Sequence, residues 1–279
     1  MNTRAAYGRA VWQFSAWCEK KKIRLQQLSP FLVAAYIEEL GGRLSRPSVK
    51  QHLAAIRMLF DFLVVSQIVP TNPTASVKGP KHIVRKGKTP VLSAAEARKL
   101  LASIDAPTPL GLRDRALIAT MIYSFARVGA CVAMDVADYY QQGKRSWFRL
   151  HEKGGRRHEV PVHHKAQEYV DAYLACLGNR AQPKSPLFRT VERSGDFTSS
   201  RLNRREALAM VKRRAKKAGL PPTISCHSFR ATGITTYMSG GGQLEHAQRI
   251  AGHVSPETTK LYDRTSDAIS LDEIERIVL

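Results

Sequence analysis

Apolar residues recur at helical spacing through the first third of the chain. In TRAAYGRAVWQFSAWCEKK, Tyr7, Val11, Phe14 and Trp17/Cys18 share one face, and SPFLVAAYIEEL and RPSVKQHLAAIRMLFDFLVV repeat the pattern. Ser29 is a good cap, Pro30 suits the first turn, and Gly41-Gly42 stop the second segment. Amphipathic helices this close in sequence pack as a small bundle. The periodicity then lapses: PTNPTASVKGPKHIVRKGKTP mixes prolines and glycines with basic residues and reads as an exposed linker. Ser93 and Glu96 have capping-box spacing and predict a helix to about Ile104, followed by a longer one from Pro109 to Phe125. SWFRLHE and RRHEVPVH flank the KGG turn and read as two strands; beyond them the chain returns to helices, including RLNRREALAMVKRRAKKAG. In GHVSPETTKLYDR, Ser255, Pro256 and Glu257 mark a helix start, with His253 in the turn before it and Tyr262 about two turns along. The pattern predicts a mainly α fold with a small β-sheet: an N-terminal helical bundle followed by an α+β domain.

Charge narrows the partners. The 279 residues, 43% of them apolar, suffice for two globular domains, and 44 Lys plus Arg against 23 Asp plus Glu give a net +21 and a pI near 10.2. Such an excess attracts polyanions and is hard to reconcile with a small-molecule enzyme. No acid occurs between Phe62 and Ala95, where Lys78, Lys81, Arg85, Lys86 and Lys88 fall, and eight basic residues stand between Arg201 and Lys217 against Glu206 alone. Both stretches read as contacts to nucleic-acid phosphates. The longest apolar runs, such as ALIATMIYSFA, fall short of a membrane span, and no secretory leader opens the sequence, so a soluble cytoplasmic protein without a membrane partner is expected. Cys18, Cys131, Cys176 and Cys226 form no C-x-x-C pair; neither a zinc site nor a disulfide framework is expected, and no cofactor.

Candidate chemistry is concentrated in four fragments: SFARVGA with Arg127, HEKGGRRHEVPV with Lys153, CHSFRATGITTY with His227 and Arg230, and the stretch with His253 and Tyr262. His227 and Arg230, three apart on a helix, share a face. Two arginines, a lysine, two histidines and a tyrosine are an inventory for phosphoryl transfer without a metal. Guanidiniums hold the nonbridging oxygens of a phosphodiester in bidentate geometry and stabilise the charge that develops there. A phenol, with a free pKa of about 10, needs a base and cationic neighbours to attack. A lysine in a turn can protonate the leaving alkoxide.

With H-S-F-R, GHVSPETTKLY, KGGRRHEVPV and GLRDRALIATMIYSFARVGA in this order, the chain resembles the tyrosine site-specific recombinases, the phage-integrase and Xer-like family, over nearly all of its length. The resemblance implies that Tyr262 attacks the scissile phosphate to form a 3′-phosphotyrosyl link while Arg127 and Arg230 hold the phosphate. It implies that Lys153 is the general acid toward the 5′-hydroxyl, His227 a base or proton manager, and His253 a hydrogen-bond donor. The fold it implies is a helical core-binding (SAM-like) domain over 1–82, a basic linker over 83–89 and a recombinase catalytic domain over 90–279, clamping double-stranded DNA with an inverted-repeat core site. The expected DNA contacts are Arg43, Arg46, Lys50, Arg57, Lys78, Lys81, Arg85, Lys86, Lys88, Arg201, Arg204 and Arg205. The expected assembly is a monomer in solution and a homo-tetramer when synapsed.

Two positions depart from the family pattern. Phe125 stands where a glycine is common, and Ala130 where an acid is common, which leaves the support of Arg127 open. Arg113, in GLR, also fits a Gly-x-Arg search but lies forty residues before Lys153 rather than twenty-six. The tail SDAISLDEIERIVL sets Ile269, Ile274, Ile277 and Val278 beside Asp267, Asp272, Glu273 and Glu275; an acidic amphipathic helix is repelled by DNA and is expected to dock on protein, on a neighbouring protomer as the family resemblance implies, with folding back on its own domain as the alternative. A DNA-binding protein that has lost its chemistry and a type IB topoisomerase are the rival readings.

Overall fold

The computed structural model describes residues 2–82, 87–105, 108–152, 155, 157–192 and 194–263. The chain divides into two compact units, Met1–Val84 and Arg85–Leu279.

In the first unit, α1 (Asn2–Lys20), α2 (Pro30–Gly41) and α3 (Arg46–Val65) form where the apolar spacing predicts them. Ser29 Oγ accepts from the Leu32 N–H with Pro30 in the first turn, satisfying one of the donors a helix start leaves open. Phe14, Val33, Tyr36, Val49, Ile56 and Phe60 fill the centre, and Phe14 meets Tyr36 edge to face at 5.0 Å. Each contributes roughly 1.5–3 kcal/mol of burial, enough to give the unit a core of its own. The segment after α3 is more than an exposed connector at its start: Val69, Thr74 and Val77 are buried. Asn72 organises it, its side-chain oxygen accepting from the Thr74 N–H at 2.8 Å while its amide donates to Asp61 at 2.7 Å.

The second unit contains α4 (Ala94–Ala102), α5 (Pro109–Tyr123), α6 (Val128–Ala133), β1 (Tyr139–Gln142), β2 (Arg145–His151), β3 (Arg157–Pro161) and α7 (His164–Leu177). These are followed by β4 (Arg189–Val191), β5 (Phe197–Arg201), α8 (Arg204–Lys217), α9 (Cys226–Ser239), α10 (Leu244–Ala251) and α11 (Pro256–Lys260). The Ser93/Glu96 capping box opens α4 as expected. Helix α5 is the central strut: Ala116, Leu117, Ile118, Ala119 and Met121 are fully buried, and the helix packs on α7 and α9. The buried Asp114 carboxylate is satisfied from both sides, by Arg113 at 2.6 Å and by Arg214 of α8 at 2.8 Å. Strands β1, β2 and β3 form an antiparallel sheet in which Phe148 stands opposite both Tyr139 and Val160. The expected hairpin is β2–β3; β1 and the separate β4–β5 pair were not expected, and Arg201 ends β5 instead of opening a helix. The mainly α fold with small antiparallel sheets is the one the sequence predicts. Among the described residues no helix is long and apolar enough to cross a membrane.

Candidate active site

The site lies where the N-terminal part of α9, the end of α5, the turn after α10 and the segment after α11 converge. Ser255 caps α11, accepting from the Glu257 N–H, but that helix ends at Lys260, so Tyr262 sits just past it rather than two turns along it. Its N–H donates to the Thr259 carbonyl at 2.9 Å, and its own carbonyl accepts from Thr235 Oγ1 of α9 at 3.0 Å. The ring packs with Phe125, Ala231, Ile234, Ala247 and Ala251. With backbone and ring both held, the hydroxyl is aimed at His227 Nε2, 2.9 Å away. His227 itself is exposed at the start of α9; burial of part of its ring, then the charges of Arg230 and Arg127, lower its pKa from the ordinary value.

The two arginines are placed by one backbone feature. Helix α5 stops at Tyr123, two residues short of the expected end, because Phe125 adopts φ +53, a left-handed conformation that a bulky residue enters only at a cost. Gly233 of α9 makes room for it: a Cβ there would lie 2.0 Å from the Ile122 carbonyl oxygen and 2.7 Å from Phe125 Cδ1. The Phe125 carbonyl accepts from Arg230 Nη1, and the Ala251 carbonyl accepts from Arg230 Nη2 at 2.7 Å. Arg230 is 1% exposed, and its Nε–H has no hydrogen-bond partner among the described residues. Burial, then the charge of Arg127, push its pKa down to about 10, against the opposing pull of the Tyr262 hydroxyl and the Glu152 carboxylate. Arg127 stands at the start of α6 and pairs through Nη1 with Glu152 Oε2 at 2.5 Å; its side chain is 41% exposed, so its outer edge reaches solvent.

Helix α10 ends on Gly252, whose left-handed φ +58 turns the chain so that the His253 N–H donates back to the Gln248 carbonyl at 3.1 Å. The His253 ring stacks on Tyr262 with centroids 5.8 Å apart, and its Nδ1 lies 2.8 Å from the buried Thr259 hydroxyl. Burial, then Arg230, Arg127 and His227, push its pKa down to about 3, so the imidazole is neutral. In the tautomer where the Thr259 hydroxyl donates to Nδ1, the ring proton is on Nε2, which is then a donor. A cavity of about 300 Å³ lined by Arg127, Glu152, Gly252, His253, Val254, Ser255 and Thr258 lies beside these groups.

Arg127, His227, Arg230, His253 and Tyr262 are therefore brought together; Lys153 lies outside the described residues, as do Arg85, Lys86 and the acidic tail. Arg113 is spent on Asp114 and on the Arg189 carbonyl, 2.8 Å away. Of the expected DNA contacts in the first unit, Arg43 pairs with Glu39 at 3.3 Å, Arg46 donates to the Lys81 carbonyl, Lys50, Lys78 and Lys81 are exposed, and Arg57 is half-buried against the Val77 carbonyl. In the second, Lys88, Arg204 and Arg205 are exposed, whereas Arg201 is tied to the Val132 and Met134 carbonyls and to Asp135. Glu152 and Thr259, which touch Arg127 and His253, were not singled out from sequence. The one signal for Glu152 was an acid immediately before Lys153 in a chain lacking one at Ala130. Among the described residues no group of three or more His, Cys, Asp or Glu stands together as a metal site.

The phage integrase family profile matches residues 90–268, and that of the phage integrase N-terminal SAM-like domain matches residues 1–67. The tyrosine recombinase XerC of Pelobacter propionicus is 29% identical over 280 residues, covering 99% of this chain and 87% of the relative. The XerH site-specific recombinase, solved bound to its difH substrate before cleavage, superposes with a TM-score of 0.71 at 18% identity over 98% of this chain and 77% of that one. A lambda integrase tetramer bound to a Holliday junction gives 0.68 at 17% identity over 97% and 75%. These superpositions show a common fold. The chain belongs to the phage integrase family, and it is a tyrosine recombinase, an enzyme that cuts and rejoins DNA strands at specific sites.

Proposed function

We propose that Tyr262 Oη is the nucleophile of this reaction. It attacks the scissile phosphate, the P–O5′ bond breaks, and a 3′-phosphotyrosyl link and a 5′-hydroxyl result. The phenolic proton passes to His227 Nε2, and Lys153 supplies a proton to the departing O5′. Arg127 and Arg230 bind the nonbridging oxygens, where charge grows in the transition state, and His253 adds a hydrogen-bond donor. The link conserves the energy of the broken ester, so a 5′-hydroxyl from another strand reverses the step without ATP; the outcome is strand exchange, not hydrolysis. The observation that carries this reading is the 2.9 Å contact between Tyr262 Oη and a depressed-pKa His227, with Arg127 and Arg230 alongside.

The same reading gives residues 1–82 the role of a core-binding domain and residues 90–279 that of the catalytic domain, the two gripping an inverted-repeat DNA site with residues 83–89 as basic linker. The free enzyme is a cytoplasmic monomer; on DNA, four protomers synapse, with the acidic tail of one docking on the next so that one pair of tyrosines is active at a time. The test is a pool of nicked duplexes with a randomised core. DNA that stays attached to the protein through denaturation is recovered, and the linked peptide is mapped. Linkage through Tyr262 to a 3′-phosphate is expected; linkage at another residue, or selective binding with no linkage, would overturn the proposal.

A further inference from the structure

We infer that Glu152 is the positioning residue that aims Arg127 at the scissile phosphate, standing in for the acid that the chain lacks at Ala130. The inference rests on the proposed role of Arg127 as a phosphate ligand. Arg127 opens a helix of only six residues and makes no side-chain cap to it. Its ion pair with Glu152 is the one contact that fixes its guanidinium among the described residues. One turn further along, Ala130 is buried and offers no carboxylate.

Glu152 reaches the site from the end of β2, across 25 residues of sequence. Its side chain is 4% exposed, and Oε1 has no hydrogen-bond partner among the described residues, a costly state for a carboxylate unless opposite charge faces it. That charge comes from both arginines: Arg127 touches it, and Arg230 is held cationic partly by it. Without Glu152, the charge of Arg127 would act on Arg230 unopposed by a carboxylate, with no ion pair to hold the exposed guanidinium in place. Glu152 leaves the outer edge of Arg127 open to solvent, where a phosphate oxygen can be met, and lines the cavity with it. It also precedes Lys153 directly, so one carboxylate fixes the arginine from the residue next to the proposed general acid.

The experiment uses the full chain and the nicked duplex recovered by covalent trapping with the parent protein. Single-turnover formation of the covalent complex, duplex affinity and melting temperature are measured for the parent, Glu152→Gln, Glu152→Ala, Arg127→Ala and the Glu152→Gln/Arg127→Ala pair. Glu152→Gln is isosteric and preserves packing should the alanine variant fold poorly. Misplacing a catalytic group by an ångström costs about 10²-fold, so Glu152→Gln is expected to cleave about 10- to 100-fold more slowly with duplex affinity little changed, and Glu152→Ala to cleave no faster and to melt at a lower temperature. In the Arg127→Ala background the same change should cost less than about threefold, because the two residues act as one unit. An undiminished effect of Glu152→Gln in that background, or a Glu152→Gln rate within about threefold of the parent, overturns the inference. Absence of a Tyr262 linkage in the parent itself overturns the phosphate reading and this inference with it; intact linkage with an indifferent Glu152→Gln overturns only the inference.

Discussion

In the proposed mechanism, the hydrogen bond between Tyr262 and His227 is a proton path only while the imidazole is neutral. Partial burial, Arg230 and Arg127 all disfavour the imidazolium, so the ring keeps its lone pair at pH values where an ordinary histidine, near 6.5, is half charged. The rate of covalent-complex formation should hold level from neutral pH down through 6.5 and fall only below it; a decline centred at or above that value would remove His227 as the base. Arg127, His227, Arg230, His253 and Tyr262 could be picked out from sequence because their chemistry is uncommon and their order informative. The residues that hold them could not. Glu152 reaches Arg127 across 25 positions and Thr259 meets His253 across 6, and neither pairing follows any local period or cap.

At the scale of elements, helices were legible wherever a cap and a periodic apolar face coincided, as at Ser29 and Ser93. Strand β1 was not: YYQQ has no alternation to mark it, and β4 is three residues long. Such strands exist through their cross-strand partners rather than through intrinsic preference. The end of α5 was misplaced because an unbroken apolar run hides the left-handed turn at Phe125, which the surrounding packing enforces. That packing is testable at Gly233. A Cβ at 2.0 Å from the Ile122 oxygen cannot be accommodated without moving Phe125, whose carbonyl holds Arg230. Gly233→Ala should destabilise the chain by about 1–3 kcal/mol in urea unfolding and slow cleavage as well; parent-like stability would show that α5 and α9 do not press together at this point.

For the whole molecule, a net charge of +21 predicts a large contribution of counterion release to DNA binding. Log affinity should fall linearly with log salt, with a slope of about −0.9 per phosphate neutralised, and a nearly flat plot would contradict a phosphate-tracking surface. Charge explains attachment, however, and not chemistry. The claim on which the rest depends is that one phenol, Tyr262, carries the DNA strand, and the most direct measurement is the covalent yield of Tyr262→Phe beside the parent on the recovered nicked duplex, read on a denaturing gel with duplex affinity measured in parallel. The substitution removes a single oxygen and leaves the basic surface and the packing with Phe125 and Ala231 in place. The variant should bind the duplex as tightly as the parent and yield no protein-linked DNA; protein-linked DNA from Tyr262→Phe would contradict the account.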